Sequence, residues 1–346
     1  MSGPAADAGS SSGGPTRLLI YEPSHRRIAK ELAAHGAALE LLLMDEAGRL
    51  TLGGVEVTAE EASAEAAWAN GDVFASGAAR AFMTAMLKAP RLKWVQSAAA
   101  GFDHPVFGSL IAKGARLTTS HGQAVGMADY VLAGVLDYFQ RGGERRTAQV
   151  ESTWRRLPFR EIAGTTWLII GFGAIGQAVA QRARAFGART VGARRNAAPH
   201  PLADAVISMR ALGDHLPVAD VVVLCAPLDA ATRHLANAAF LGAMKSGAVL
   251  VNVGRGGLVD EAALLAALDA GTPAHAVLDV FETEPLPVGS PFWRHPRVSV
   301  TAHASGIANG QDARNQALFL ENLGRYLAGQ PLLHEVDPKD VPTPAN

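Results

Sequence analysis

Cysteine is almost missing from this sequence: Cys225 is the single example in 346 residues. That excludes an internal disulfide framework and fits a reducing compartment, so a cytoplasmic protein is expected. The residue lies in VVVLCAP and reads as a small core side chain. No apolar run approaches the roughly 18 residues needed to cross a bilayer, so no transmembrane helix is expected. Excess charge is missing too, with 31 Lys and Arg against 32 Asp and Glu. This balance argues against nucleic acid or an anionic membrane as partner, since both attract clustered basic residues. The 11 histidines are scattered, and no spacing suits a metal, so none is expected. There is no internal repeat. The opening MSGPAADAGSSSGGPT has no hydrophobic h-region and little Arg, so residues 1–16 read as a disordered tail instead of a targeting segment.

What is present points to a packed α/β protein. Apolar residues make up 49% of the chain and charged ones 18%, with 36 glycines for tight turns or close approaches to ligand. The length exceeds the roughly 250 to 300 residues at which single cores stop growing, so two domains are expected. Short β-rich runs (RLLIYEP, ALELLLMD, DVFASG, LKWVQSA, ARLTTS) alternate with helical patterns such as HRRIAKELAAHG, as in parallel sheets covered by helices. A second series, TTWLIIG, ARTVGA, ADVVVLCAP, GAVLVNVG, AHAVLDV and RVSVTAH, consists of nearly continuous apolar strands suited to burial on both faces. Residues 125–141 and 311–329 read as long helices.

GFGAIG follows the strand TTWLIIG and opens an amphipathic helix. There Gly171 permits the tight turn, Gly173 lets the backbone reach a pyrophosphate and Gly176 allows close helix packing. The first helical residues, Ala174 and Ile175, would offer amides to the anion. About twenty residues further on, an NAD-binding chain places an acid against the ribose hydroxyls. This chain has VGARRN instead. Arg194 or Arg195 can bind a 2′-phosphate with paired donors, so the sequence leans towards NADP(H), with NAD possible. Two solvent-facing arginines, with adenosine held by backbone alone, is the other reading.

Three stretches, VNVGRGGLVDE, LDVFETEPLP and TAHASG, close successive strands and contribute Arg255, Glu284 and His303. With the Rossmann glycines before them, this order resembles the D-isomer-specific 2-hydroxyacid dehydrogenase family, specifically its glyoxylate and hydroxypyruvate reductases, over nearly the whole chain after the tail. The resemblance implies hydride exchange between a nicotinamide and C2 of a 2-keto or 2-hydroxy acid. Arg255 would pair the substrate carboxylate and polarise the C2 oxygen. His303 would exchange a proton with that oxygen, and Glu284 would orient the imidazole and stabilise its cation. The neighbouring Glu282 is set aside because the family's acid immediately precedes the proline. Asp279 should lie near the nicotinamide carboxamide, with Ala226, Val253 and Gly254 also lining the cofactor site. SAAAGFDHP resembles the loop whose amides hold the substrate carboxylate, through Ala100 and Gly101.

Asp129 stands where the family often has Glu. HGQAVG replaces an Asn-containing segment, and His121 there is read as structural before functional. The fold expected is a Rossmann nucleotide domain inserted into a flavodoxin-like substrate domain, both doubly wound parallel sheets. Residues 17–121 with 309–346 would form the substrate domain and 122–308 the nucleotide domain, with the active site in the cleft and closure about the crossings. The leading function is an NADP(H)-preferring 2-ketoacid reductase working as a homodimer. The alternatives are an NAD-dependent relative with another substrate and a dinucleotide-binding, corepressor-like interaction protein. A phosphoglycerate dehydrogenase is disfavoured, because its substrate phosphate would require added basic groups near the Ala100 loop.

Overall fold

A computed structural model describes residues 14–102 and 104–341. The tail expected at 1–16 lies outside them as far as residue 13. Contacts gather the chain into two compact units, one running to Ser120 and resuming at Asp312, the other covering His121–Gln311. Among the described residues no helix is long and apolar enough to cross a membrane.

The first unit is built on one sheet of seven strands, β1 (Thr16–Tyr21), β2 (Leu39–Met44), β3 (Leu50–Leu52), β4 (Val55–Val57), β5 (Ala66–Ala69), β6 (Trp94–Ser97) and β7 (Arg116–Thr118), in the order β4-β3-β2-β1-β5-β6-β7. β1, β2, β5, β6 and β7 pair in parallel. β3 and β4 add an antiparallel edge that the sequence reading had not separated. Its turn is GG, with φ of 57° at Gly53 and 84° at Gly54, the left-handed pair that a two-residue hairpin demands.

DVFASG, read from sequence among the β-rich runs, is helical over Gly71–Ala75 because the Asn70 side chain accepts the Val73 amide at 3.2 Å and caps it. The strand is AAWA just before it, poor in β-formers but fully buried. Trp68 of that strand stacks on Phe319 of the helix Gln311–Leu327, centroids 4.3 Å apart. With Leu18, Ile20, Trp94 and Leu323 they form a buried cluster, each side chain contributing about 1.5–3 kcal/mol of burial.

The second unit holds β8 (Thr166–Ile170), β9 (Arg189–Arg194), β10 (Ala205–Ser208), β11 (Val221–Leu224), β12 (Val249–Asn252), β13 (His275–Leu278) and β14 (Val298–Val300) in the order β10-β9-β8-β11-β12-β13-β14. Every pairing is parallel. β10, half-exposed at the edge, is the strand that apolar patterning missed. The helix Ala124–Phe139 presents Val131 and Val135 to Trp167, Ile169 and Val223 in one core. Its Gly134 lies so near β13 that a Cβ there would stand 2.7 Å from Val277 Cγ1. On its outer side Asp129 pairs with Arg182 Nε at 2.6 Å, which ties this helix to the helix Ala174–Ala185 and gives Asp129 a structural partner.

Both sheets therefore run outward from an inner strand, the doubly wound α/β plan. In the second, the order reverses between β8 and β11. All seven carboxyl ends lie on one edge, and ligands of open parallel sheets bind outside those ends at such a reversal.

Candidate active site

At the reversal, GFGAIG leaves β8. Gly171 has φ 97°, and a Cβ on it would stand 2.3 Å from the Ala226 amide nitrogen; the turn closes on the end of β11 only without a side chain. A Cβ on Gly176 would be 2.4 Å from the Gly171 carbonyl, so this glycine lets the helix start directly behind the turn. Gly173 differs. Nothing lies within 4 Å of its Cβ direction, so the protein's own packing does not require glycine there, whereas a ligand approaching the backbone would. The helix it opens, Ala174–Ala185, has no side-chain N-cap, which leaves first-turn amides, among them those of half-buried Ala174 and Ile175, to an anion. These features fit the pyrophosphate of a dinucleotide.

The Phe172 ring covers β9: a Cβ on Gly192 would fall 2.4 Å from its Cδ2. The Gly within VGARRN is the one local signal for this contact. Beyond it, half-buried Arg194 donates to the Ala198 carbonyl at 2.6 Å, while Arg195 is exposed. Cys225 donates its thiol to the Gly171 carbonyl at 3.0 Å, and burial pushes it up to about 12. It stays a thiol with a packing role.

The next three strand ends carry the catalytic candidates. After β12, Val253 and Gly254 are buried and the Asn252 side chain closes the turn, accepting from the Gly254 amide at 3.1 Å and donating to the Arg255 carbonyl at 3.0 Å. Half-buried Arg255 follows, one of its terminal nitrogens on the Gly254 carbonyl at 2.8 Å. The following Gly256 is forced by backbone proximity, since a Cβ would stand 1.9 Å from the Phe281 carbonyl carbon. The RGG turn thus rests on the loop after β13.

That loop brings Glu284 to His303, with Oε2 2.7 Å from Nδ1. The other carboxylate oxygen accepts the Phe281 amide at 2.9 Å. Glu282 takes a different partner, His234 Nε2 at 3.1 Å. His303 has φ 50°, a left-handed conformation that the surroundings must hold. Its amide donates to the Asp279 carbonyl at 2.8 Å, and the Asp279 side chain accepts from Thr301 Oγ1 at 2.6 Å and the amides of Ala304 and Ser305 at 2.8 and 2.9 Å. Burial opposes its ionisation, but hydrogen bonds from Ser305, Thr301 and Ala304 outweigh that and hold its carboxyl below the usual value. The cofactor candidate Asp279 is therefore also the anchor of the His303 loop. Tyr130 extends this network to Thr301 at 2.8 Å, and burial pushes its phenol up to about 12. Thr301 and Tyr130 escaped the sequence reading because nothing local ties a helix tyrosine to a strand end 171 residues away.

In the first unit, Ala100 and Gly101 follow β6, half-buried. The Ala98 amide is taken by the Ala69 carbonyl and that of Ala99 by Ser97 Oγ, which orders the approach to this loop. His121 is half-buried, its carbonyl accepting the Ala124 amide at 3.0 Å as the next helix starts.

Residues 132–305 match the family model described as D-isomer specific 2-hydroxyacid dehydrogenase, NAD binding domain. The chain is 31% identical over 260 residues to a glyoxylate/hydroxypyruvate reductase A from Salmonella newport, covering 73% of this chain and 82% of that one. A D-isomer specific 2-hydroxyacid dehydrogenase from Xanthobacter autotrophicus Py2, solved with NADPH and MES, superposes with TM-score 0.74 at 30% identity, over 94% of this chain and 99% of that one. An NADPH-dependent glyoxylate/hydroxypyruvate reductase from Sinorhizobium meliloti, solved with NADP and sulfate, gives 0.74 at 26% identity over the same shares. By the family model and the similar proteins, the chain belongs to the D-isomer specific 2-hydroxyacid dehydrogenase family and is a nicotinamide-dependent dehydrogenase.

Proposed function

We propose that the chain is an NADP(H)-preferring reductase of small 2-keto acids, of the glyoxylate and hydroxypyruvate kind, forming the D-2-hydroxy acid where the product is chiral. The observation that carries the reading is the 2.7 Å bond between His303 Nδ1 and Glu284 Oε2 at the ligand edge of a dinucleotide-binding sheet. A reduced nicotinamide held at the Gly171–Gly176 turn would supply the hydride to C2. His303 gives the C2 oxygen a proton from Nε2, while Nδ1–H stays on the Glu284 carboxylate. Glu284 fixes the tautomer and ring plane. Arg255 pairs the substrate carboxylate and draws charge onto the C2 oxygen as hydride arrives. Ala100 and Gly101 are candidates to offer backbone amides to a substrate carboxylate; no hydrogen bond among the described residues takes those two amides. We assign substrate binding to residues 17–121 with 309–346, and the dinucleotide to 122–308.

Arg194 is the stronger candidate for the 2′-phosphate, because its side chain is already directed by the Ala198 carbonyl; Arg195 is the second. The similar proteins named for glyoxylate and hydroxypyruvate support the substrate class. In this reading the enzyme is a cytoplasmic homodimer. The segment 142–160 supports a second copy as partner: Val150 is 86% and Trp154 96% exposed, and Gly142, Arg146 and Phe159 of the same segment line, with Tyr138 and His275, a cavity of about 780 Å³. Steady-state reduction of glyoxylate, hydroxypyruvate, pyruvate, phenylpyruvate and longer 2-keto acids with NADPH and NADH tests the proposal. The first two should give the highest kcat/KM, with NADPH; preference for a long or aromatic acid would overturn the substrate class.

A further inference from the structure

Around Arg255, Glu284 and His303, a second set of polar side chains joins the loops that carry them. The His234 amide donates to the Gly257 carbonyl at 2.8 Å, and its Nε2 stands 3.1 Å from Glu282 Oε1. The Glu282 amide donates to Glu261 Oε1 at 2.8 Å, and the Glu261 amide reaches back to Glu282 Oε1 at 3.4 Å. Two glutamates thus cap each other's backbone across the start of the helix Glu261–Ala270. Burial raises the Glu261 carboxyl above the usual range, outweighing the hydrogen bond from the Glu282 amide that lowers it.

We propose that Glu282, His234 and Glu261 are positioning residues, a clamp that fixes the Arg255 turn against the loop carrying Glu284. The proposal rests on the reading above in which Glu284 orients His303. Glu282 is two residues from Glu284, and the RGG turn already meets this loop backbone to backbone at Gly256. His234 holds both sides at once, the turn through its amide and the loop through its ring. None of the three touches the dinucleotide turn, so loosening the clamp lowers kcat while leaving cofactor binding in place.

The test compares kcat, KM and NADPH dissociation constants for Glu282→Ala, Glu282→Gln, Glu284→Gln and the double variant Glu282→Ala with Glu284→Gln. Glu282→Ala should lose about tenfold in kcat, as a displaced catalytic group does, with NADPH binding within about twofold of the parent. Glu282→Gln keeps an acceptor oxygen for the Glu261 amide and the His234 ring, and should recover most of that loss. In the double variant Glu282→Ala should add less than about twofold to the effect of Glu284→Gln, since the route is already cut. An indifferent Glu282→Ala, or losses that multiply in the double variant, would overturn the clamp. Full kcat in Glu284→Gln alone would instead overturn the underlying assignment together with the clamp's route through it. If Glu282→Ala does not fold, His234→Asn carries the same cycle: it shortens the reach to Glu282, and Asn tolerates the left-handed φ of 49° at this position.

Discussion

At two side chains of the second unit, a single charge decides a measurable property. Replacing Arg194 by Asp removes an attraction for the 2′-phosphate and adds a repulsion, so the ratio of kcat/KM for NADPH over NADH should fall by on the order of a hundredfold, at about 1.4 kcal/mol per tenfold. Alanine at Arg194 and at Arg195 in turn assigns the role, and a parent enzyme indifferent to the two cofactors and to both changes would make these arginines solvent-facing. His275 bears on stability. It is buried, stacked on Tyr138 with centroids 4.4 Å apart and bonded to Ser299 Oγ at 2.9 Å; burial lowers it from 6.5 to about 4. Between those values the unfolded chain takes up a proton that the folded chain refuses. Its contribution is therefore complete above about pH 6.5 and is lost as pH falls towards 4, by on the order of 3 kcal/mol. Urea unfolding at pH 7 and pH 4.5 should show a smaller acid loss in His275→Gln than in the parent; equal losses would mean that His275 titrates normally.

Turns, more than strands, set the chemistry at the scale of elements. Gly256→Ala places a Cβ 1.9 Å from the Phe281 carbonyl carbon, so either the Arg255 turn or the Glu284 loop must move. We expect kcat to drop at least tenfold and stability by about 1–3 kcal/mol, read by kinetics and thermal melting. Gly324→Ala, in the helix Gln311–Leu327 with nothing within 4 Å of the new Cβ, should instead add about 0.5–1 kcal/mol and leave kcat unchanged. The same contrast explains what was legible in the sequence. Buried parallel strands such as VVVL and VLVN read as apolar runs, so the residues just after them, Arg255 and His303 among them, could be placed on one edge in advance. AAWA could not be read as a strand, because burial and not propensity makes it one, and DVFASG was misread because its helix depends on the Asn70 cap. Contacts between distant segments left no local trace, including Tyr130 to Thr301, Asp129 to Arg182 and His234 to Glu282.

For the whole molecule, the exposed Val150 and Trp154 should be covered by a second copy. Sedimentation at micromolar concentration should give a dimer that Trp154→Glu dissociates, and a monomeric parent would remove the assembly claim. The central claim is that this family fold transfers a proton through His303 during reduction of a small 2-keto acid. Its most direct test is NADPH oxidation with hydroxypyruvate by the parent and by His303→Ala, at saturating cofactor and with NADPH affinity measured in parallel. The parent should turn over, and the variant's kcat should be about 10²–10⁴-fold lower at unchanged NADPH affinity. A parent inert towards 2-keto acids, or a variant that turns over as fast as the parent, would contradict it.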